Sequence, residues 1–374
     1  MSHSGAIKIL HVLGRMNRGG AETRLLDLMR HIDRSTYKFE FCCLSGLPGE
    51  LDDEVRSLGG NVHLLKLGTS FPFDFRKLLR RSGFRVVHSS VHWPSGYILR
   101  LAAAERVPLR VCQFASTNDG KKLSPLRRLR NKVLRKWVDS YATNILGVSE
   151  GTLTANWGPE WVEDCRFQVV YRGIDTSTVE NAGRSDTVRR ELGVPQDATI
   201  VIHVGRMDSP KNHPRLIAIF GRLLKQLNNA YLLLVGAIRE PVYSEIVRLV
   251  GQYGLGSRVI IVGVRDDIAN LLHASDVMIF PSLWEGLPGA VLEALAAGVP
   301  VLASDLPGIE EIAVHLPGIR TMSLDRSDEE WAAAAAHYRQ YFSDPVDFRG
   351  VLEASPFTMR RAVQAYERLY SSAA

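Results

Sequence analysis

Two glutamates, Glu285 and Glu293, stand eight residues apart in the stretch PSLWEGLPGAVLEALAAGVPVLASD. The spacing puts Glu285 in a loop and Glu293 just past the first turn of the helix that follows. A helix N-terminus presents unpaired N–H groups and the positive end of its dipole, so a phosphate docks there. Carboxylates on either side then accept hydrogen bonds from neutral hydroxyls, as on a sugar ring or a ribose. Two cations, Arg206 and Lys211, lie five residues apart in GRMDSPKN. A planar Arg fork and a Lys point charge at that spacing clamp a diphosphate from two sides.

Something must hold these groups in place, and the hydrophobic pattern says what. Short apolar runs predict strands at 7–13, 39–44, 62–65, 86–89, 109–114, 144–148 and 167–170. A second series follows at 199–206, 231–235, 259–262, 277–280, 299–303 and 319–322. Helical stretches lie between them. Strand then helix, repeated, predicts parallel sheets covered on both faces, with ligands at the carboxyl ends of the strands. Pro288 suits a helix start, and Gly298 and Pro300 its end. The Gly-rich turn GRMNRGGAE after the first strand has neither P-loop nor GxGxxG spacing.

The chain of 374 residues, 45% hydrophobic and 23% charged, has the length of two to three domains and an ordinary globular composition. Cys42, Cys43, Cys112 and Cys165 have no metal or redox spacing, which predicts free thiols in a reducing, cytoplasmic setting. No run of 18 apolar residues occurs, and residues 1–6 lack a signal peptide's pattern. A net charge of +6 favours anionic partners.

The segment from Trp284 to Val301 resembles the Glu-x7-Glu signature of retaining nucleotide-sugar glycosyltransferases with the GT-B fold. More narrowly it is similar to family 4, which resembles bacterial glycogen synthase. The likeness extends over nearly the whole chain. GRMDSPKN resembles the family's G-R-x4-K segment. YRGIDTSTVEN at 171–181 resembles its N-G-I-D crossing between domains, with Arg172 in place of Asn. The resemblance implies an α/β architecture of two Rossmann-like doubly wound domains facing a central cleft. An acceptor-binding domain would span 1–181, with a helix at 356–374 packing back on it, and a nucleotide-sugar-binding domain 182–355.

It implies further that Arg206, Lys211 and Glu285 carry the reaction. Gly20, Val264, Gly286, Leu287, Pro288 and Glu293 would join them around the donor. Gly19 and Gly20 would let backbone approach the ligands, and Val262-Gly263-Val264 would pair with the nucleobase, most often uracil. No Asp-x-Asp occurs in the chain. The cations and the helix start would stand in for a metal, and the nucleotide-sugar is a substrate rather than a cofactor. The acceptor would be a small molecule, a glycan or a lipid-linked sugar; nucleic acid is not expected.

Ala115 stands where the family often has His, leaving Asn118, Asp119 and His92 as acceptor-side candidates. A nucleotide-sugar epimerase of the same fold and a non-catalytic partner protein remain alternatives. Finally, residues 121–137 (KKLSPLRRLRNKVLRKW) carry eight bases and no acid, with Leu126, Leu129, Val133 and Trp137 at helical spacing. Two readings stay open: a peripheral contact with the inner face of a membrane, or an apolar stripe packed on the sheet beneath a solvated basic face.

Overall fold

The computed structural model describes residues 5–118, 120, 124–176, 185–341 and 348–373. The chain forms two compact units, residues 1–173 with 359–374, and residues 174–358. The boundary falls at 173/174 rather than at 181/182. Ile174 already belongs to the second unit, where it bridges to Thr358 and donates its N–H to the Phe357 carbonyl at 2.8 Å.

The first unit holds a seven-stranded sheet built from β1 (Ile7–Leu13), β2 (Tyr37–Cys43), β3 (Asn61–Leu64), β4 (Val86–Ser89), β5 (Leu109–Phe114), β6 (Asn144–Gly147) and β7 (Phe167–Val169). Its order is β3-β2-β1-β4-β5-β6-β7, and every pairing is parallel. The strands are apolar on both faces because helices cover both. Ile9, Leu10 and Val12 of β1 are all fully buried. Helix Met359–Ser371 completes this unit, setting Tyr366, Leu369 and Tyr370 into the core beside Ile9, Leu13 and Phe39. Polar groups buried under that helix are joined. His88 bonds Tyr370 Oη through Nδ1 at 2.8 Å and Gln113 Oε1 through Nε2 at 3.0 Å, and Gln113 Nε2 donates to Tyr366 Oη at 3.0 Å.

Helix Pro125–Tyr141 starts as its sequence dictates, with Pro125 at the first position and the Ser124 hydroxyl accepting from the Arg127 N–H. Its buried side is Leu134 and Val138, packed so close to helix Ser95–Ala104 that a Cβ on Gly96 would strike the Leu134 carbonyl. The stripe of Leu126, Leu129 and Val133 therefore does not pack on the sheet. The true inner face lies about a third of a turn away, where the small Gly96 lets two helices meet.

The second unit is a six-stranded parallel sheet of β8 (Thr199–Val204), β9 (Ala230–Val235), β10 (Val259–Gly263), β11 (Val277–Phe280), β12 (Val301–Ser304) and β13 (Ile319–Met322). The order β10-β9-β8-β11-β12-β13 reverses direction between β8 and β11. Loops leaving two neighbouring strands at such a switch point diverge to opposite faces and open a crevice at the carboxyl edge.

Candidate functional site

Of the expected donor groups, Arg206, Lys211, Glu285, Gly286, Leu287 and Pro288 lie on the two loops at that switch point. Residues 205–212 leave β8 and residues 281–288 leave β11, and the two loops are bonded together. Leu283 N–H donates to the Pro210 carbonyl at 2.8 Å, and Asn212 Nδ2 to the Pro281 carbonyl at 3.0 Å. Asn212 makes its bond from the left-handed region, at φ 52°, a conformation Asn tolerates better than most residues.

Lys211 Nζ reaches Glu285 Oε1 at 2.6 Å, with the two side chains only 16% and 14% exposed. The ammonium also sits 4.6 Å from the centre of the Phe280 ring. Two residues far apart in sequence are thus joined into one polar centre on the switch-point crevice. Arg206 is more open, 42% exposed, with Nε 3.4 Å from Asp208 Oδ2. A cation so exposed, on the same loop as Lys211, is available to an anion.

Close backbone contacts fix the two loops. A Cβ on Gly236 would strike the Gly205 carbonyl, and a Cβ on Gly308 would strike the Gly286 carbonyl. Gly236 also has φ 138°, which excludes other residues on conformational grounds. Gly286, Leu287 and Pro288 are all buried, and Pro288 caps helix Gly289–Ala296 rather than occupying its first turn. Glu293 stands half-buried in that helix. Val264 is exposed and follows β10, which β9 separates from β8.

Beneath the pair lies a cluster that local pattern could not show. His203 of β8 and His213 are both buried, ring centres 4.8 Å apart, and His203 stacks on Phe280. His203 Nδ1 meets the Ile279 carbonyl at 2.9 Å. Burial, then the neighbouring imidazole, holds His203 well below the usual histidine range. Burial, then the Lys211 charge, lowers His213 to about 4. Both rings are neutral at pH 7, and a neutral, polarisable floor under Lys211 leaves its charge directed outward.

The acceptor-side candidates belong to the first unit. Gly20 opens helix Gly20–His31, where a Cβ would lie 3.7 Å from the Arg172 guanidinium. His92 adopts φ 59° and packs its ring edge-on to Phe114 and Trp93, with centres 5.1 and 5.3 Å away. Asn118 shapes a turn, its Oδ1 accepting from the Gly120 N–H at 3.0 Å. Asp119 lies outside the described residues. Ala115 lines a pocket of about 70 Å³ at the carboxyl ends of β1, β4 and β5, with Gly14, Ser90, Gln113, Arg172 and Tyr366. Gln113 and Tyr366 were not expected there. Gln113 comes from β5 itself, and Tyr366 reaches it because helix Met359–Ser371 returns to this unit. Among the described residues no three His, Cys, Asp or Glu side chains converge as a metal site would require.

Residues 19–155 match the family described as Glycosyl transferase 4-like domain, and residues 184–347 match Glycosyl transferases group 1. The chain is similar to the capsular polysaccharide biosynthesis glycosyltransferase CapH of Staphylococcus aureus, 30% identical over 334 residues, 87% of this chain and 89% of that one. It is similar also to the UDP-Gal:alpha-D-GlcNAc-diphosphoundecaprenol alpha-1,3-galactosyltransferase of Escherichia coli, 26% identical over 81% of this chain and 80% of that one. In fold it is similar to Anabaena HepE, solved in complex with UDP-glucose, at TM-score 0.80 and 19% identity over 98% of this chain and 100% of that one. Two Rossmann-like parallel-sheet domains with these neighbours are the GT-B fold, and the chain belongs to the group 1 glycosyltransferases, with a family 4-like region in its first half.

Proposed function

We propose that the chain is a retaining, metal-independent glycosyltransferase that moves a sugar from a UDP-sugar to a hydroxyl of a lipid-linked glycan. The donor half rests on one observation, the Lys211–Glu285 pair at the switch point with Arg206 beside it. An ammonium already desolvated against a carboxylate and an aromatic ring needs little reorganisation to turn to a diphosphate. As the bond from the anomeric carbon to the diphosphate oxygen breaks, charge grows on the leaving group. Lys211 and Arg206 stabilise it more in the transition state than in the ground state. Glu285, freed from Lys211, then takes a sugar hydroxyl, and Glu293 a ribose hydroxyl. The acceptor oxygen bonds to the same face of the anomeric carbon, and its proton passes to the departing phosphate oxygen. No side-chain base is needed, which suits Ala115, and correct placement supplies most of the rate.

The first unit takes the acceptor in this reading, in the pocket that Ala115 and Arg172 line. The UDP and the lipid-linked glycan are supported by the Escherichia coli relative, whose name gives a UDP-Gal donor and a diphosphoundecaprenol-linked acceptor, and the UDP also by the HepE complex. Four free cysteines, three of them buried, suit a reducing cytoplasm.

The test is incubation of the protein with UDP-sugars and EDTA, with the slow release of sugar followed by NMR. Release of UDP with the sugar's anomeric configuration retained supports the proposal. An inverted anomer overturns retention, an epimerised sugar nucleotide identifies an epimerase, and binding of a nucleotide-sugar without turnover identifies a non-catalytic protein that keeps the donor site.

A further inference from the structure

We propose that helix Pro125–Tyr141 docks the protein on an anionic lipid surface, an inference that rests on the transferase reading only for its purpose. The outer face of the helix is apolar where no internal contact requires it. Leu126 is 78% exposed, Leu129 61% and Val133 40%. At about 100° per residue these three fall within about 60° of one another. Arg130 flanks them on one side and Lys132 and Lys136 on the other, with Arg128 beyond, and all four of these basic residues are exposed.

The helix does not need these groups to stay in place. Arg135 anchors it, stacking 4.8 Å from the Trp157 ring centre and donating to the Trp157 carbonyl at 3.1 Å. Arg100 of the neighbouring helix stacks 4.7 Å from the Trp137 ring centre. Asp139, the one acid in the helix, is bound to Arg166 at 2.8 Å. Arg128, Arg130, Lys132 and Lys136 have no ion-pair partner among the described carboxylates. The result is a rigidly seated helix with spare cations and spare leucines on one face.

That combination selects its occupant. Phosphate headgroups attract the cations, while aliphatic side chains between them enter the boundary between headgroups and acyl chains. A nucleic acid would gain from the cations but not from exposed Leu and Val, and Trp137 beside them is half-buried with its ring already stacked by Arg100. No described helix is long and apolar enough to cross a membrane, so the contact is peripheral.

Co-sedimentation of the full chain with phosphatidylcholine vesicles, with and without phosphatidylglycerol, tests the proposal. Binding is expected only with the anionic lipid, falling as salt rises. The variant R128Q/R130Q/K132Q/K136Q removes four surface cations and should lower the partition coefficient at least ~100-fold. L126S/L129S should lower it on the order of 10-fold per leucine even at low salt, where the cations alone still attract. Both variants change exposed groups only, and unchanged melting temperatures verify that the fold survives. Equal binding to neutral vesicles, no binding to either, or binding that neither variant reduces would overturn the proposal. So would displacement from vesicles by a single-stranded oligonucleotide with L126S/L129S binding that oligonucleotide as wild type does. The assay contains no nucleotide-sugar, so its failure leaves the transferase reading standing.

Discussion

Replacing Lys211 by Met separates what its ion pair does for stability from what it does for transfer. The pair is 2.6 Å long and both side chains are about 85% covered, given exposures of 16% and 14%. Removing one partner leaves a largely buried, unpaired carboxylate, at a cost of about 3 kcal/mol. Glu285→Gln leaves a buried ammonium and should cost a similar amount. The double variant removes both charges, so its loss should be smaller than the sum of the singles, by on the order of 2 kcal/mol of coupling. Denaturant titration of the four proteins gives that cycle.

Turnover should behave differently. If Lys211 stabilises the leaving diphosphate and Glu285 holds the sugar, each single change lowers kcat/KM by 10²-fold or more, about 3 kcal/mol of transition-state stabilisation. The double variant then recovers stability without recovering activity. A double variant that turns over within about threefold of wild type would show that the pair is structural and would refute its placement in the reaction.

Three other outcomes are expected. Glu293→Gln should raise the donor KM by about tenfold and weaken nucleoside diphosphate binding, with kcat little changed, because a ribose contact is made equally in ground and transition states; a fall in kcat at unchanged KM would contradict it. Gly308→Ala should push the Gly286 carbonyl and its loop aside, costing about 1–3 kcal/mol of stability and a measurable share of kcat/KM; a variant with wild-type melting and turnover would show that no such close approach exists. Acid should destabilise both units as pH falls from 6.5 toward 4, because buried His88 and His213 each have a folded pKa lowered to about 4. The unfolded chain binds more protons in that window, so stability present above 6.5 is lost below it, up to about 3 kcal/mol per histidine. His88→Gln should flatten the melting temperature of the first unit across that range, and an unchanged slope would exclude His88 as a source.

Much of this was legible in the sequence, for reasons that also mark its limits. The strands read correctly because parallel strands buried on both faces are unbroken apolar runs; 86–89, 109–114, 277–280 and 319–322 were placed to the residue. Glu285 and Lys211 were legible as types at a spacing. Their contact was not, because it depends on β8 lying next to β11 in the sheet. The same holds for Gly236 against Gly205 and Gly308 against Gly286, which are close only across strand neighbours. His203 and His213 looked like ordinary residues of a strand and a helix start, and only burial makes them a neutral floor. For helix Pro125–Tyr141 the period was legible, and of the two readings of its stripe the exposed Leu126, Leu129 and Val133 remove packing on the sheet. Hydrophobic spacing marks an apolar stripe without saying whether protein or something else covers it. Here a glycine on the neighbouring helix decided that Leu134 and Val138 go inward.

The return of helix Met359–Ser371 to the first unit bears on how the protein is made. The first unit begins to emerge from the ribosome before the second, yet it lacks part of its core until residues 359–373 are out. Residues 174–358 are contiguous and can fold as they appear, so the later unit can be finished first. Until then His88 and Gln113 face an open groove with Tyr370 and Tyr366 still missing as partners. Synthesis therefore passes through a stage in which a nearly complete sheet waits with an exposed apolar face. That is the stage at which chaperones would engage the nascent chain, and at which a premature stop in the final helix would do most harm.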